Sequence, residues 1–341
     1  MTYRSKAPLR IGLAGGGTDV NPYASQYGGA VVNATVSLYA HASIEPLAEN
    51  AIVLHDANAR QELRFSWASR LPINGQLDLL KAVYNRIHSQ YGLPLTGFKL
   101  TTSVDAPVGS GLGTSSTLVV AMVGAFVQML ALPLGSYDIA QLAYQIERHD
   151  LGFAGGHQDQ YAASFGGINF MEFGPADRVV VNPLAVKPEV LFELENNLLL
   201  YYTGQYRQSG EIIMSQQQKV KDGVAPSIQA MHQLKQQAWQ MKEALLKGRL
   251  QDMGELLETG FAFKKQMTEG ISDPAIEQVY QAAMQAGATG GKISGAGGGG
   301  FMFFYCPGIT RFRVATALQQ YGGQIYPCHF TNQGMVSWAV R

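Results

Sequence analysis

The sequence predicts an α+β chain folded in two lobes, and three observations carry that reading. At 341 residues the chain is long for one compact unit, so two domains are expected. Segments rich in Val, Ile and aromatic residues, the mark of strands, are interspersed with segments that repeat apolar residues at helical intervals. Near Pro183 to Pro188 the pattern changes, which puts the domains at 1–185 and 186–341.

In chain order, "RIGLAGGGTDV" reads as a strand entering a glycine turn. "AVVNATVSLYAHASIEPL" and "AIVLHDA" read as strands, and Leu77 to Tyr91 as an amphipathic helix. "GFKLTTSV" is a further strand. Ser115 to Leu132 and Tyr137 to His149 are expected helices, followed by a hairpin of "GGINFMEF" and "VVVNPL". In the second domain "LLLYYTG" is a strand. Two or three long helices follow, through "AMHQLKQQAWQMKEALLKG" and "DMGELLETGFAFKKQM". A helix over Pro274 to Ala286 leads into "GGKISGAGGGGFMFFY", a glycine loop before an apolar strand. A helix near Arg311 to Gln320 and closing strands complete the chain. The segment Ala48 to Leu77 carries no readable motif.

Composition narrows the function. Lys+Arg and Asp+Glu balance at 25 each, so no basic excess points to nucleic acid or to an anionic membrane. No apolar run approaches the ~20 residues that span a bilayer, and no signal-peptide pattern opens the chain. Cys306 and Cys328 make no disulfide framework and are expected to be reduced packing residues; no Cys/His spacing suits zinc. A cytoplasmic protein is the expectation.

One stretch has more glycine and hydroxyl than folding needs: "PVGSGLGTSSTLVVA", Pro107 to Ala121. Glycines let backbone amides turn to a ligand with no Cβ in the way, and the helix that follows has unpaired N–H groups and a partial positive charge at its start. Together these suit an anion, phosphate above all, with Ser110, Thr114, Ser115 and Ser116 as further donors. A capped helix after a flexible turn is the plainer alternative. A Walker loop is excluded because its lysine is absent. Gly295 to Gly300 matches G-x-G-x-x-G but precedes a strand, so a dinucleotide site is not expected there.

"APLRIGLAGGGTD", "PVGSGLGTSSTLVVA" and "KISGAGGGGFMFF" resemble, in order, the three motifs of the GHMP kinases. Within that superfamily the chain is most similar to the D-glycero-D-manno-heptose 7-phosphate kinases, through "NATVSLY", "DQYAA" and "NFMEF" besides. The motif Gly15-Gly16-Gly17-Thr18-Asp19 lacks the Glu and His that galactokinases carry. The resemblance implies the two-lobed GHMP kinase fold: an N-terminal ribosomal protein S5 domain 2-like lobe and a C-terminal ferredoxin-like lobe. ATP would bind between them with Mg2+. Phosphate would pass to the anomeric hydroxyl of a sugar phosphate, with another sugar-1-kinase activity, fucokinase-like, or a non-catalytic sensor as rivals.

The same resemblance assigns roles. Asp159 is the expected catalytic aspartate, as base or as orienting anion; its place at a helix start lowers a carboxylate's pKa and favours orienting. Arg10 is the cation beside it. Pro107, Gly109, Ser110, Gly111, Gly113, Thr114, Ser115 and Ser116 would form the nucleotide cradle, with Gly295, Gly297 and Gly298 facing it from the other lobe. Glu147 and Ser116 are the expected magnesium ligands. Asp19, with Gly16, Gly17 and Thr18, would hold sugar hydroxyls, and Arg207 the distal phosphate. Helix capping is the alternative for Asp19 and Asp159, a solvated charge cluster for Glu147, and a surface position for Arg10. Lys292 is open between a phosphate contact and an ordinary surface lysine, and His157 is read as structural. Expected partners are ATP and a small sugar phosphate, not nucleic acid or membrane; a homodimer stays open.

Overall fold

A computed structural model describes residues 1–93, 96–107, 109–205 and 209–341. The first lobe runs β1 (Thr2–Ala14), α1 (Tyr23–Tyr27), β2 (Gly29–Pro46), β3 (Ala51–Asp56), β4 (Gln61–Ser66), α2 (Asp78–Tyr91) and β5 (Phe98–Val104). It continues through α3 (Thr114–Leu130), α4 (Ser136–Gln145), α5 (Gln158–Phe165), β6 (Ile168–Phe173) and β7 (Val179–Pro183). The second lobe holds α6 (Pro188–Asn197), β8 (Leu198–Tyr202), α7 (Ser209–Lys221), α8 (Ala225–Leu246), α9 (Met253–Met267) and α10 (Pro274–Gln285). Then come β9 (Gly290–Ile293), β10 (Phe301–Tyr305), α11 (Thr310–Leu318), β11 (Gln324–Tyr326) and β12 (Val336–Val340).

The larger sheet has the order β12-β1-β2-β5-β3-β4, with β6 also paired to β2 and β7 to β6. The smaller one, β11-β8-β10-β9, is antiparallel and built by a strand–helix–strand–strand–helix–strand sequence, the ferredoxin-like arrangement. This is the two-lobed fold expected above. One detail differs: β12 leaves the second lobe and pairs antiparallel with β1, Thr2 opposite Val340. The last strand of the expected domain 186–341 therefore belongs to the first sheet. Helix α6 and strand β4 are additions; α6 opens on Pro188 at its first position, where a missing N–H costs nothing.

Helix α3 is apolar on nearly every face, because "TLVVAMVGAF" leaves no polar stripe, and it is buried from Thr117 to Phe126 against β1, β2 and the neighbouring helices. Its N-terminus is thereby fixed at the mouth between the lobes. A second core joins them: Leu9, Ile11 and Leu13 of β1 pack with Ala238 and Met241 of α8 and with Phe301 and Phe303 of β10. Cys306 and Cys328 are free and buried, and burial pushes each thiol up to about 12, as fits packing residues. Among the described residues no helix is long and apolar enough to cross a membrane.

Candidate active site

A cleft of about 530 Å3 opens between the lobes, with the start of α3 at its floor. The loop before α3 and the loop before β10 meet backbone to backbone. Phe301 N–H donates to the Ser110 carbonyl at 2.8 Å, and Ser294 Oγ donates to the Gly111 carbonyl at 2.9 Å. Only glycine fits at position 111, where φ is +78° and a Cβ would stand 2.6 Å from the Ser294 carbonyl oxygen. Gly113 is left-handed too, and a Cβ there would stand 3.1 Å from Asp159 Oδ2. The glycines thus bring the two loops together and clear the space above the amides of α3.

Arg10, buried in β1, donates from Nε to Asp159 Oδ1 at 2.7 Å, and its Nη2 lies 2.6 Å from the same oxygen. Its Nη1 donates to the Gly111 carbonyl at 2.6 Å. One guanidinium therefore ties the aspartate to the glycine loop, and Oδ1 is the oxygen it occupies. Oδ2 is left toward the cleft, beside Gly113. A carboxylate so held is fixed against a cation and has one oxygen to offer a hydroxyl.

Glu147 is 1% exposed and sits in a single π-helical turn, Ile146–Asp150, that continues α4. Such a turn inserts a residue and re-aims the side chains on it. Oε1 accepts from Ser115 Oγ at 2.8 Å, and Oε2 accepts from Gln160 Nε2 at 2.6 Å. The expected pair was Glu147 with Ser116, and the hydroxyl bonded directly to Glu147 is that of Ser115. Successive residues on a helix point about 100° apart. Both serines line the cleft: Ser115 is exposed and bonds Glu147 directly, whereas Ser116 is buried and is joined to Glu147 through Gln160, whose Nε2 donates to the Ser116 hydroxyl at 3.0 Å. A hydroxyl and a carboxylate oxygen at the head of α3 suit a hard cation that takes its other ligands from phosphate and water.

Asp19 is the hub of the opposite wall. Its Oδ1 accepts from Gly17 N–H at 3.2 Å and from Gln158 Nε2 at 3.0 Å, and its Oδ2 from Gln158 N–H at 3.2 Å. The carboxylate does cap a helix, but α5, far along the chain, rather than the segment that follows it. His157 supports it from behind: Nδ1 lies 3.2 Å from the Asp19 carbonyl, and the ring stacks on Tyr144 at 3.8 Å. Burial pushes the His157 pKa down, in keeping with a neutral packing histidine. Lys264 of α9 joins this wall; a Cβ on Gly16 would stand 3.8 Å from its Nζ.

Of the expected residues, Arg10, Gly17, Asp19, Gly109, Gly111, Gly113 and Thr114 line the cleft, as do Ser115, Ser116, Glu147, Asp159, Gly295 and Gly297. Others are turned away. The Thr18 hydroxyl bonds the carbonyls of Gly15 and Ala30, because it locks the turn. Ser110 is fully buried, with its hydroxyl toward Leu112 N–H at 3.4 Å. Gly298 spends its N–H on the Ile271 carbonyl at 2.8 Å. Pro107 closes the turn by accepting from Ser110 N–H at 3.2 Å. Arg207 lies outside the described residues. Lys292 is no surface residue: it is 2% exposed, and burial drives its pKa well below the ordinary value. Gln158, Gln160 and Lys264 were missed. The available signal for Lys264 was its place on the apolar face of α9, in line with Leu257, Gly260 and Phe261.

Comparison with known proteins shows the family of the chain. The family model described as "GHMP kinases N terminal domain" matches residues 78–167, and "GHMP kinases C terminal" matches residues 241–324. The chain is 43% identical over 339 residues to D-glycero-alpha-D-manno-heptose 7-phosphate kinase of Campylobacter jejuni, covering 99% of each chain. It superposes with a TM-score of 0.85, at 42% identity and 99% coverage of both chains, on a structure described as a D-glycero-D-manno-heptose 1-phosphate kinase of Bacteroides thetaiotaomicron. A bifunctional fucokinase/GDP-fucose pyrophosphorylase of Arabidopsis thaliana is 28% identical over 86% of this chain and 29% of that longer protein. The two domain models and the full-length match agree: this chain belongs to the GHMP kinases, phosphotransferases with an alcohol group as acceptor.

Proposed function

We propose that the protein transfers the γ-phosphoryl group of ATP to the anomeric C1 hydroxyl of D-glycero-α-D-manno-heptose 7-phosphate, giving the 1,7-bisphosphate. The product would feed nucleotide-activated heptose for a surface polysaccharide, in the cytoplasm where ATP is made. The observation that carries the chemistry is Asp159 fixed by Arg10 where the glycine loops and the Asp19 wall converge. The heptose assignment rests on the 43% identity to the Campylobacter jejuni enzyme.

In this reading the amides of the loop and of α3 bind the triphosphate, and Asp19 with Gln158 orients the sugar hydroxyls. The C1 hydroxyl meets Asp159 Oδ2. As its oxygen bonds to the γ-phosphorus, the bond to ADP breaks and the hydroxyl proton passes toward Oδ2. An anomeric hydroxyl is more acidic than an ordinary alcohol, so a modest base or an orienting anion is enough. Arg10 offsets charge on the moving phosphoryl group. Ser115 and Glu147 would hold Mg2+, whose charge would neutralise the phosphate oxygens.

The test is turnover of heptose 7-phosphate with ATP and Mg2+, followed by phosphorus NMR of the product. A new anomeric phosphate resonance is expected. No turnover, equal turnover of sugars without a 7-phosphate, or a second phosphate at another carbon would contradict the proposal. The name of the Bacteroides thetaiotaomicron structure favours a second reading, a 1-phosphate acceptor, and the same spectrum distinguishes it.

A further inference from the structure

Helix α9 carries two consecutive lysines with opposite fates. Lys265 is exposed and pairs with Glu277 at 2.9 Å. Lys264 is 4% exposed, and among the described residues no carboxylate or carbonyl lies within bonding distance of its ammonium. A buried ammonium without a partner is costly to the fold, and burial pushes this one down to about 8. Lys264 nevertheless lines the cleft, on the acceptor side, beside Gly16 of the first turn. From α7, Gln216 Nε2 donates to the Gly17 carbonyl at 2.8 Å and closes that end. The charged groups around Lys264 are Asp19 from the first turn, Arg10 from β1 and Lys292 from β9. Arg10 is already committed to Asp159 and Gly111. Asp19 would repel an anion, so an anionic acceptor needs a cation of its own at this wall.

We propose that Lys264 binds the phosphate the acceptor sugar already carries, which makes the first-turn end of the cleft a phosphate subsite separate from the nucleotide cradle. The inference rests on the sugar-phosphate reading above and names the residue that selects for it. A phosphate monoester is largely dianionic above pH 7, and the protonated lysine is the form that binds it. Affinity for the phosphorylated sugar is therefore highest near pH ~7, where the phosphate is a dianion and the lysine is protonated, and falls as pH rises through about 8 and the free lysine loses its proton.

The experiment uses the full chain as wild type, Lys264→Met and Lys264→Arg. Steady-state kinetics are measured with heptose 7-phosphate and with unphosphorylated heptose between pH 7 and 9.5. Lys264→Met is expected to raise KM for the phosphorylated sugar about 100-fold, the scale for removing one partner of a buried charged pair. The preference for the phosphorylated over the plain sugar should shrink by the same factor, with kcat changed less. Lys264→Arg should keep the preference and abolish the alkaline rise in KM. Because Met keeps the buried stem and removes an ammonium that no hydrogen bond holds among the described residues, its melting temperature should equal or exceed the wild-type value. Three outcomes overturn the inference: a fall in kcat with KM and preference unmoved, a Lys264→Met enzyme indistinguishable from wild type, or a lowered melting temperature with no change in preference. If the wild type turns over heptose 7-phosphate, these outcomes sink this inference alone. A wild type inactive on that sugar overturns the sugar-phosphate reading along with it.

Discussion

The two walls of the cleft are built from different materials. The nucleotide-side wall is mostly backbone: glycine loops touching at Gly111 and Ser294, and the free amides at the start of α3. The acceptor-side wall is mostly side chains gathered from distant elements. Asp19 comes from the first turn, His157 and Gln158 from the start of α5, Gln216 from α7 and Lys264 from α9. A backbone cradle accepts any triphosphate tail and leaves a contiguous glycine signature. A side-chain wall can vary residue by residue, so it is where one family would distinguish one acceptor from another.

Substitutions can break or sharpen that contrast. The largest effect belongs where the walls converge. Asp159→Asn should lower kcat about 10²–10⁴-fold with modest change in either KM, read by steady-state kinetics. Glu147→Gln should follow, raising the Mg2+ concentration for half-maximal rate by about 100-fold. Ser115→Ala should raise it more than Ser116→Ala, and the reverse order would count for Ser116 as the ligand.

Next comes the backbone wall itself. Gly111→Ala forces an L-residue to φ +78° and drives a methyl at the Ser294 carbonyl. A cost of about 2 kcal/mol is expected, seen as a melting temperature lower by several degrees and a raised KM for ATP. On the acceptor wall, Asp19→Asn should raise the sugar KM by about tenfold and leave the ATP KM within about twofold. Equal loss for both substrates would show that the walls are not separable.

The smallest effect is one of pH. Burial holds the His157 pKa below 6.5, so the unfolded chain binds the extra proton first. Its contribution is intact above pH 6.5 and is lost as pH falls through and below that value. Asp19, Asp177 and the stacked Tyr144 surround the ring. His157→Gln should flatten the acid limb of melting temperature against pH, and an unchanged limb would remove His157 from the account.

The same contrast explains what could be read from the chain. The loop at Gly109–Gly113 was legible because a run of glycine beside hydroxyls has few other uses, whereas Gly295–Gly300 gained its role through resemblance. Arg10, Asp19, Glu147 and Asp159 were reached through resemblance rather than through pattern. Which of two adjacent serines meets Glu147 was not legible, since it depends on α3 beginning at Thr114. Lys264 was hidden because one lysine beside another on a helix looks solvated until the packing of α9 is known. The return of β12 to β1 pairs residues from opposite ends of the chain, and no local periodicity announces a partner at that distance.

The central claim is that the two walls deliver a phosphoryl group and a sugar hydroxyl to the same carboxylate. A crystal structure with a non-hydrolysable ATP analogue, Mg2+ and heptose 7-phosphate tests it most directly. The account predicts the γ-phosphate over the start of α3 beside Ser115, with the C1 oxygen within hydrogen-bond distance of Asp159 Oδ2. A sugar lying with C1 away from Asp159, or a triphosphate bound outside the glycine loops, would contradict it.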